Sequence, residues 1–300
     1  MESNKNKKAI RLTIYGLICN TFLFLLKLYA GFIGNSSAII ADGFHSLSDL
    51  STDIFVIFGL KVSEKPPDED HRYGHGKVET LVTFLIGLFL SVVGLKLLWN
   101  GFSEIWLFYQ GNVIESPGWL PFVVAIFSIL IKEILFYITA KEGKRIGKKS
   151  IIANAWHHRT DSLSSIGVAL GILGAKLLGE NWNILDPIAA IIVSGFILYA
   201  AYDISRSSLD ELLEKSLGKK EIDFIFSKVN RIKGVYNPHS IKTRRIGSNL
   251  AIDLHIDVER DLNVVEAHNI ATSVEIALQG AFEDRVFVSV HVEPKNEIKE

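Results

Sequence analysis

The sequence contains very little cysteine and no excess of basic residues. Its single cysteine, Cys19, excludes an intrachain disulfide and a cysteine-ligated metal cluster. The 32 Lys and Arg residues are balanced by 33 Asp and Glu residues. The resulting net charge of −1 provides no excess positive charge that would attract nucleic acid. An HExxH motif, which would supply the glutamate base of a zinc hydrolase, is also absent. These absences argue against a disulfide-stabilised domain, a nucleic-acid-binding protein and a hydrolase of that type.

What the sequence does contain is long apolar stretches. Hydrophobic residues make up 48% of the chain and the mean hydropathy is +0.27, which indicates a membrane protein. A membrane-spanning helix needs about 20 mostly apolar residues. The stretches that qualify are about 9–32, 38–61, 78–102, 117–140, 151–178 and 185–208. The first lacks a small-residue cleavage site after a short apolar core, so we expect a retained helix there and not a removed signal.

Basic residues in the short connections predict how these helices are oriented. The connections 34–37, 101–118 and 179–187 contain no Lys or Arg. Basic residues instead lie before or at the start of the first stretch, and after the second and fourth: Lys5, Lys7, Lys8, Arg11, Lys65, Arg72, Lys77, Lys141, Lys144, Arg145, Lys148 and Lys149. Since short cytoplasmic loops are rich in Lys and Arg, both termini are expected in the cytoplasm. Lys27 and Lys96 lie near outer helix ends, where we expect their side chains to snorkel.

After about residue 210 the pattern becomes that of a small soluble domain. An amphipathic helix is predicted over 219–232, followed by two strands that flank the GSN turn at 247–249, a second helix and a final strand, RVFVSVHVE. We therefore predict an α-helical membrane protein: six transmembrane helices over 1–212, followed by a cytoplasmic α+β domain over 213–300. The order αββαβ suggests a ferredoxin-like or metallochaperone-like fold for that domain.

Two segments of nearly the same layout carry polar residues inside apolar stretches. They are ADGFHSLSD, residues 41–49, and ANAWHHRTD, residues 153–161. Residues four apart share one face of a helix, so His45 should lie beside Asp49, and His157 beside Asp161. An ionisable side chain at bilayer depth is costly unless it is paired or bound, which makes it a functional-site hypothesis. Two imidazoles and two carboxylates form a tetrahedral ligand set suited to zinc.

A single His and Asp pair could instead be a hydrogen bond that holds helices together. Two pairs in the same register, both in apolar segments, favour a metal site over that reading. Other polar residues lie close by and could support the ligands, handle protons or simply pack helices together: Asp42, Asp53, Asn154 and His158.

The chain resembles the cation diffusion facilitator family along almost its whole length. The resemblance rests on HxxxD in the second and fifth helices, DEDHRYGHGK at 68–77, SLDELLE at 208–214, and GVYNPH, DLHID, AHNIA and VHVEP in the tail. It implies a homodimeric exporter of divalent metal in exchange for protons, with a cytoplasmic metal-binding domain. His45, Asp49, His157 and Asp161 match the family's transport site, where some members have Asp in place of His45.

The resemblance implies two further metal sites. One lies in the 68–77 loop and uses Asp68, His71 and His75, although a polar loop of this kind could also be merely solvated. The other lies in the cytoplasmic domain, where Glu293 stands at a position usually held by Asp; its residues are His239, His255, His268, His291 and Glu293. The resemblance also implies an ion pair between Lys77 and Asp210. The alternative is that both are simply exposed charges.

The function expected from the sequence is zinc export by alternating access, with proton exchange at the histidines and carboxylates. Zn²⁺ would be both cargo and regulator, with Fe²⁺, Mn²⁺ and Cd²⁺ as further cargo, and metal in the tail would bias the transport equilibrium. The expected partners are a second copy of the chain, membrane lipid and protons, and the expected location is the cell membrane. The competing hypothesis is a membrane-bound sensor or scaffold that binds metal without moving it.

Overall fold

The computed structural model describes the backbone of residues 2–62, 68–146, 149–247, 249–282 and 286–295. Within these ranges, it describes the side chains of all residues except 2–13, 51–62, 146, 149–154 and 157. The chain divides into two compact units. The first comprises Met1–Phe55 and Leu85–Ser205, and the second comprises Val56–Phe84 and Arg206–Glu300.

Long helices account for most of the described chain up to residue 212. They are α1 (Glu2–Ile33), α2 (Ser37–Val62), α3 (Gly76–Tyr109), α4 (Trp119–Ile146), α5 (Lys149–Leu177) and α6 (Leu185–Leu212). Each predicted apolar stretch falls largely within one of these helices. A 3-10 turn, Glu180–Trp182, precedes α6.

Among the described residues, four helical segments are long and apolar enough to cross a membrane: Ile14–Ile33, Gly76–Tyr109, Trp119–Arg145 and Glu180–Leu212. Their surfaces carry large exposed apolar side chains such as Trp99 and Trp106, as expected for helices that face lipid. Helices α2 and α5 carry the polar segments that the sequence analysis singled out, and neither is among these four.

In the first unit, α2, α3, α5 and α6 bury a common apolar core that includes Ile39, Leu90, Ile172 and Ile197. Helix α3 approaches α6 closely because it presents a glycine there: a Cβ on Gly94 would lie 2.9 Å from the Leu198 side chain. Small residues at such positions let membrane helices pack together. Helix α4 packs along α5 and against α1, which brings α4 side chains toward the polar segment of α5.

In the second unit, the tail folds as α7 (Lys219–Val229), β1 (Tyr236–Ile246), β2 (Asn249–Val258), α8 (Val264–Gln279) and β3 (Val286–Pro294). This confirms the predicted order αββαβ. In the described part of the tail, β1 and β2 pair antiparallel, and β3 pairs parallel with β2 after the α8 crossover. Alternate residues of β2, beginning at Leu250, join the apolar core with Ile225 and Val274, so the intervening residues of β2 face the other side of the sheet.

Candidate metal centres

Helices α2 and α5 bring three predicted ligands together within the first unit. One ligand atom from each of His45, Asp49 and Asp161 lies within 4.8 Å of the other two. Both carboxylates are buried, whereas His45 is half-buried. The α2 pair meets Asp161 because His45 and Asp49 are four residues apart and share one helix face. The side chain of the fourth predicted ligand, His157, lies outside the described residues.

A lysine that was not predicted as a site residue forms ion pairs with both carboxylates of this group. Lys132 of α4 is 1% exposed, and its Nζ lies 2.7 Å from Asp161 Oδ2 and 3.6 Å from Asp49 Oδ2. The signal for it was present in the sequence, because Lys132 interrupts the apolar stretch 117–140. A lysine within a spanning helix is as much a functional-site hypothesis as an aspartate is.

The prediction that Lys27 snorkels is wrong. Lys27 is 1% exposed, and its Nζ lies 2.7 Å from Asp42 Oδ2 and donates to Ser46 Oγ at 3.1 Å. The hydroxyl of Ser165 also donates to Asp42, at 3.0 Å. Because Asp42 is buried on α2, an inward-facing lysine avoids the cost of an unpaired carboxylate. Lys96, in contrast, is exposed.

Among the polar residues predicted to lie near the ligands, His158 is the other one whose side chain is described. His158 is 1% exposed and lies against α1, where a Cβ on Gly16 would be 3.5 Å from its Nε2. That contact favours helix packing over metal binding for His158. The side chains of Asp53 and Asn154 lie outside the described residues.

A cavity of about 640 Å³ adjoins the metal candidate in the first unit. His45 and Asp161 line it at one side, and residues of α5 and α6, among them Val168 and Phe196, form much of the rest. The cavity leaves open space beside these two ligands, and much of its wall is apolar.

The loop between α2 and α3 forms a second group, within the second unit. Ligand atoms of Asp68, His71 and His75 lie within 4.8 Å of one another. Asp68 Oδ1 lies 3.4 Å from His71 Nδ1, and Asp68 Oδ2 lies 3.3 Å from His75 Nε2. The centroids of the two imidazole rings are 4.3 Å apart. The structure thus brings together all three predicted loop residues.

Two glycines shape this loop for different reasons. Gly74 has a φ of 81°, a left-handed conformation that side chains disfavour. At Gly76 the constraint is close packing, since a Cβ there would lie 2.4 Å from the carbonyl oxygen of Ile246. The tight turn therefore depends on Gly74, and the approach of the loop to the β1–β2 hairpin depends on Gly76.

In the tail, the outer face of the sheet gathers a third group. His239, His255 and His291 lie in register on β1, β2 and β3. Glu293 contacts all three: Oε1 lies 2.7 Å from His255 Nδ1 and 3.8 Å from His291 Nε2, and Oε2 lies 3.6 Å from His239 Nε2. Ligand atoms of His239, His255 and Glu293 fall within 4.8 Å of one another. The predicted residue His268 is exposed on α8 and is not part of this group.

The electrostatics of the tail group suit a cation. The hydrogen bond from His255, together with the nearby imidazoles, holds the pKa of Glu293 below its usual value. The carboxylate is therefore ionised at neutral pH and can accept a metal ion. Its longer arm allows the two oxygens to contact different histidines.

The predicted contact of Lys77 with Asp210 is wrong for this chain. Lys77 Nζ instead lies 2.9 Å from Glu214 Oε1, and Asp210 pairs with Lys215. Glu214 follows α6 with a φ of 59°, and this turn places its carboxylate at the start of α3. The hydrogen bond from Lys77 and its positive charge lower the pKa of Glu214. The resemblance thus identified the lysine but not its acidic partner.

Charge reversal at Lys77 should therefore couple to Glu214 and not to Asp210. We expect Lys77→Glu to lower the thermal unfolding midpoint slightly, since water screens this exposed pair, and Lys77→Glu with Glu214→Lys to recover part of the loss. The matched control is Lys77→Glu with Asp210→Lys. Double-mutant cycles on the detergent-purified chain measure both couplings; a coupling to Asp210 larger than that to Glu214 would contradict the observed pairing.

Comparison with known proteins gives matches over both parts of the chain. Residues 13–213 match the cation efflux transmembrane domain, and residues 217–295 match the cation efflux protein cytoplasmic domain. The chain is 35% identical to an uncharacterized transporter of Methanocaldococcus jannaschii over 93% of this chain and 96% of that protein. It is 31% identical to the manganese efflux system protein MneP of Bacillus subtilis over 98% and 99% of the two chains. It is 32% identical to metal tolerance protein C1 of Arabidopsis thaliana over 97% of this chain and 63% of that protein.

Proposed function

The chain belongs to the cation efflux family, and from that premise we propose that it exports divalent metal ions, preferably zinc, in exchange for protons. The family makes it a multi-pass membrane transporter and not an enzyme. The observation that carries the proposal is the group formed by His45, Asp49 and Asp161, whose ligand atoms lie within 4.8 Å of one another. His157 completes a tetrahedral set in the proposal.

The proposed topology is six spans with both termini in the cytoplasm. In this proposal, helices α2 and α5 cross the membrane in addition to the four apolar segments, and their polar residues are the transport ligands. Their lengths, 26 and 29 residues, support this, because about 20 residues cross the hydrocarbon core. The proposed domain boundary lies at 212/213, at the end of α6.

Zinc is the proposed cargo because imidazole is a good zinc ligand, whereas sites made only of carboxylates favour harder ions such as manganese. His45 supplies an imidazole to the group. The relative MneP is named as a manganese efflux protein, which makes manganese the alternative that an experiment must separate from zinc.

Proton exchange follows from the chemistry of the ligands in this proposal. A histidine or carboxylate must be deprotonated before it binds a metal ion, so metal and protons compete for the same atoms. Alternating access would let the cytoplasmic ion displace protons and let external protons displace the ion. The three described ligands come from two helices, α2 and α5, so a relative movement of these helices would weaken the site.

We propose a regulatory role for the other two groups. The tail group of His239, His255 and Glu293 would bind cytoplasmic metal, with His291 beside it, and shift a homodimer toward its transporting state. The loop group of Asp68, His71 and His75 would be a further site near the membrane surface. Both groups consist of half-buried or exposed residues, so ions can exchange there with the cytoplasm.

Metal flux in reconstituted vesicles tests the proposal. If metal and protons compete, an inward-directed proton gradient across the exporting membrane should accelerate zinc export, and zinc binding to the purified protein should release protons in weak buffer. The control is the same vesicles with the gradient collapsed by a protonophore. Binding of zinc without any transbilayer flux would favour the sensor or scaffold, whereas flux that is indifferent to pH would contradict the antiport.

A further inference from the structure

Lys132 is a buried cation within the proposed transport site, and the proton exchange described above does not use it. It lies in the apolar part of α4 and is 1% exposed. Its ammonium donates a hydrogen bond to Asp161 Oδ2 at 2.7 Å, and Asp49 Oδ2 lies 3.6 Å away. Both distances are those of an ion pair, and both partners belong to the three-ligand group.

The position of Lys132 conflicts with a metal ion bound by the same two carboxylates. A zinc ion binds carboxylate oxygen at about 2.0–2.2 Å, so an ion between Asp49 and Asp161 would occupy the space around Lys132 Nζ. Two positive charges at that separation also repel each other strongly in a medium of low dielectric constant. The ammonium must therefore move away from the carboxylates when a metal ion binds to them.

An ammonium that alternates with the metal ion also balances the charge of the two carboxylates. Two buried carboxylates without a counter-charge are costly in a membrane. Lys132 lowers that cost without a diffusible ion and reduces the negative charge of the site by one. The side chain is long and has rotatable bonds, so the ammonium can withdraw and return.

We propose that Lys132 is a tethered competitor of the transported ion, which binds Asp49 and Asp161 in alternation with the metal and thereby weakens binding and speeds release. This inference rests on the proposed function. It assigns Lys132 a positioning role in the transport cycle, because the lysine acts through the carboxylates and does not touch the ion.

A second buried lysine provides a matched comparison. Lys27 pairs with Asp42 at 2.7 Å and is also 1% exposed. Asp42 is not a member of the three-ligand group. If competition for the ligands is what matters, removal of the Lys27 pair should leave metal affinity nearly unchanged, whereas removal of Lys132 should not.

The experiment measures zinc affinity of the full-length protein in detergent with chelator-buffered zinc alone as the probe. All variants carry His71→Ala and His255→Ala, which remove one ligand each from the loop and tail groups. We expect Lys132→Met to lower the Kd for zinc by about tenfold or more, as removal of a unit charge a few ångströms from the ion predicts. Release of zinc into excess chelator should slow by a similar factor.

Lys132→Arg provides the opposite change. Its guanidinium remains charged and can engage two carboxylates at once, so we expect the Kd to rise above that of the parent protein. Control variant Lys27→Met with Asp42→Asn removes the other ion pair without leaving a lone charge. Because the net charge near the ligands does not change, its Kd should stay within about threefold of the parent.

An unchanged or higher Kd in a folded Lys132→Met protein would overturn the proposal. If that variant does not fold, Lys132→Arg decides, because an affinity equal to or tighter than that of the parent would overturn it as well. Asp161→Asn in the same background separates this failure from failure of the transport site. If Asp161→Asn binds zinc as the parent does, the site assignment is wrong, whatever Lys132 does.

Discussion

Asp161→Asn is expected to reduce zinc flux in reconstituted vesicles by about a hundredfold or more, while the protein still inserts and dimerises. Loss of a residue that only supports a metal ligand already lowers affinity or activity by about 10- to 100-fold, and Asp161 is proposed to bind the ion directly. Of the two ion pairs described for Lys132, the variant leaves the one with Asp49. Flux is measured at fixed pH with a zinc-sensitive dye inside the vesicles, and Asp49→Asn should give the same result.

Glu133→Gln is the control for this prediction. Glu133 is also a carboxylate, but it lies on α4, next to Lys132 in sequence. It is 3.8 Å from Arg159 and outside the three-ligand group. Removal of its charge should leave zinc flux near that of the native protein. Native flux in Asp49→Asn or Asp161→Asn would show that these residues do not bind the transported ion.

Local periodicity is sufficient to predict the parts of the site that belong to a single element. His45 and Asp49 share a face because they are four residues apart on α2, and their meeting with Asp161 follows once the two similar segments are placed side by side. In the tail, alternation along the strands predicts that His255 and Glu293 lie on the outer face of the sheet. The register of the strands then places them 2.7 Å apart.

Ion pairs between elements are not predictable in the same way, because they depend on how helices rotate and pack. The sequence shows that Lys132 is in an apolar helix, but not that α4 turns it toward Asp161. The same limit explains Lys27, whose burial against Asp42 depends on the packing of α1 on α2. It also explains Lys77, since the turn after α6 decides that Glu214, and not Asp210, reaches it.

The second large effect is expected from His45→Asp, which should broaden transport from zinc toward manganese. Imidazole is a borderline ligand that suits zinc, and carboxylate oxygen suits harder ions. The described site holds two carboxylates and one ammonium, so the substitution adds a negative charge and a third carboxylate in place of the imidazole. Added charge attracts every divalent cation, hence affinity alone should not discriminate. Coordination geometry should discriminate between the metals, because a carboxylate can bind an ion through both of its oxygens and so permits more than four metal–ligand contacts.

Competitive flux of zinc and manganese at fixed pH measures this selectivity. We expect the ratio of manganese to zinc flux to rise by roughly tenfold in His45→Asp, with zinc activity retained. His45→Ala is the control, because it removes the imidazole without adding a carboxylate and should weaken transport of both ions. If the native protein already moves manganese as readily as zinc, the manganese efflux relative MneP is the better guide to cargo. If the ratio does not change on substitution, His45 does not determine selectivity, and the preference must arise from His157 or from the cavity beside Asp161.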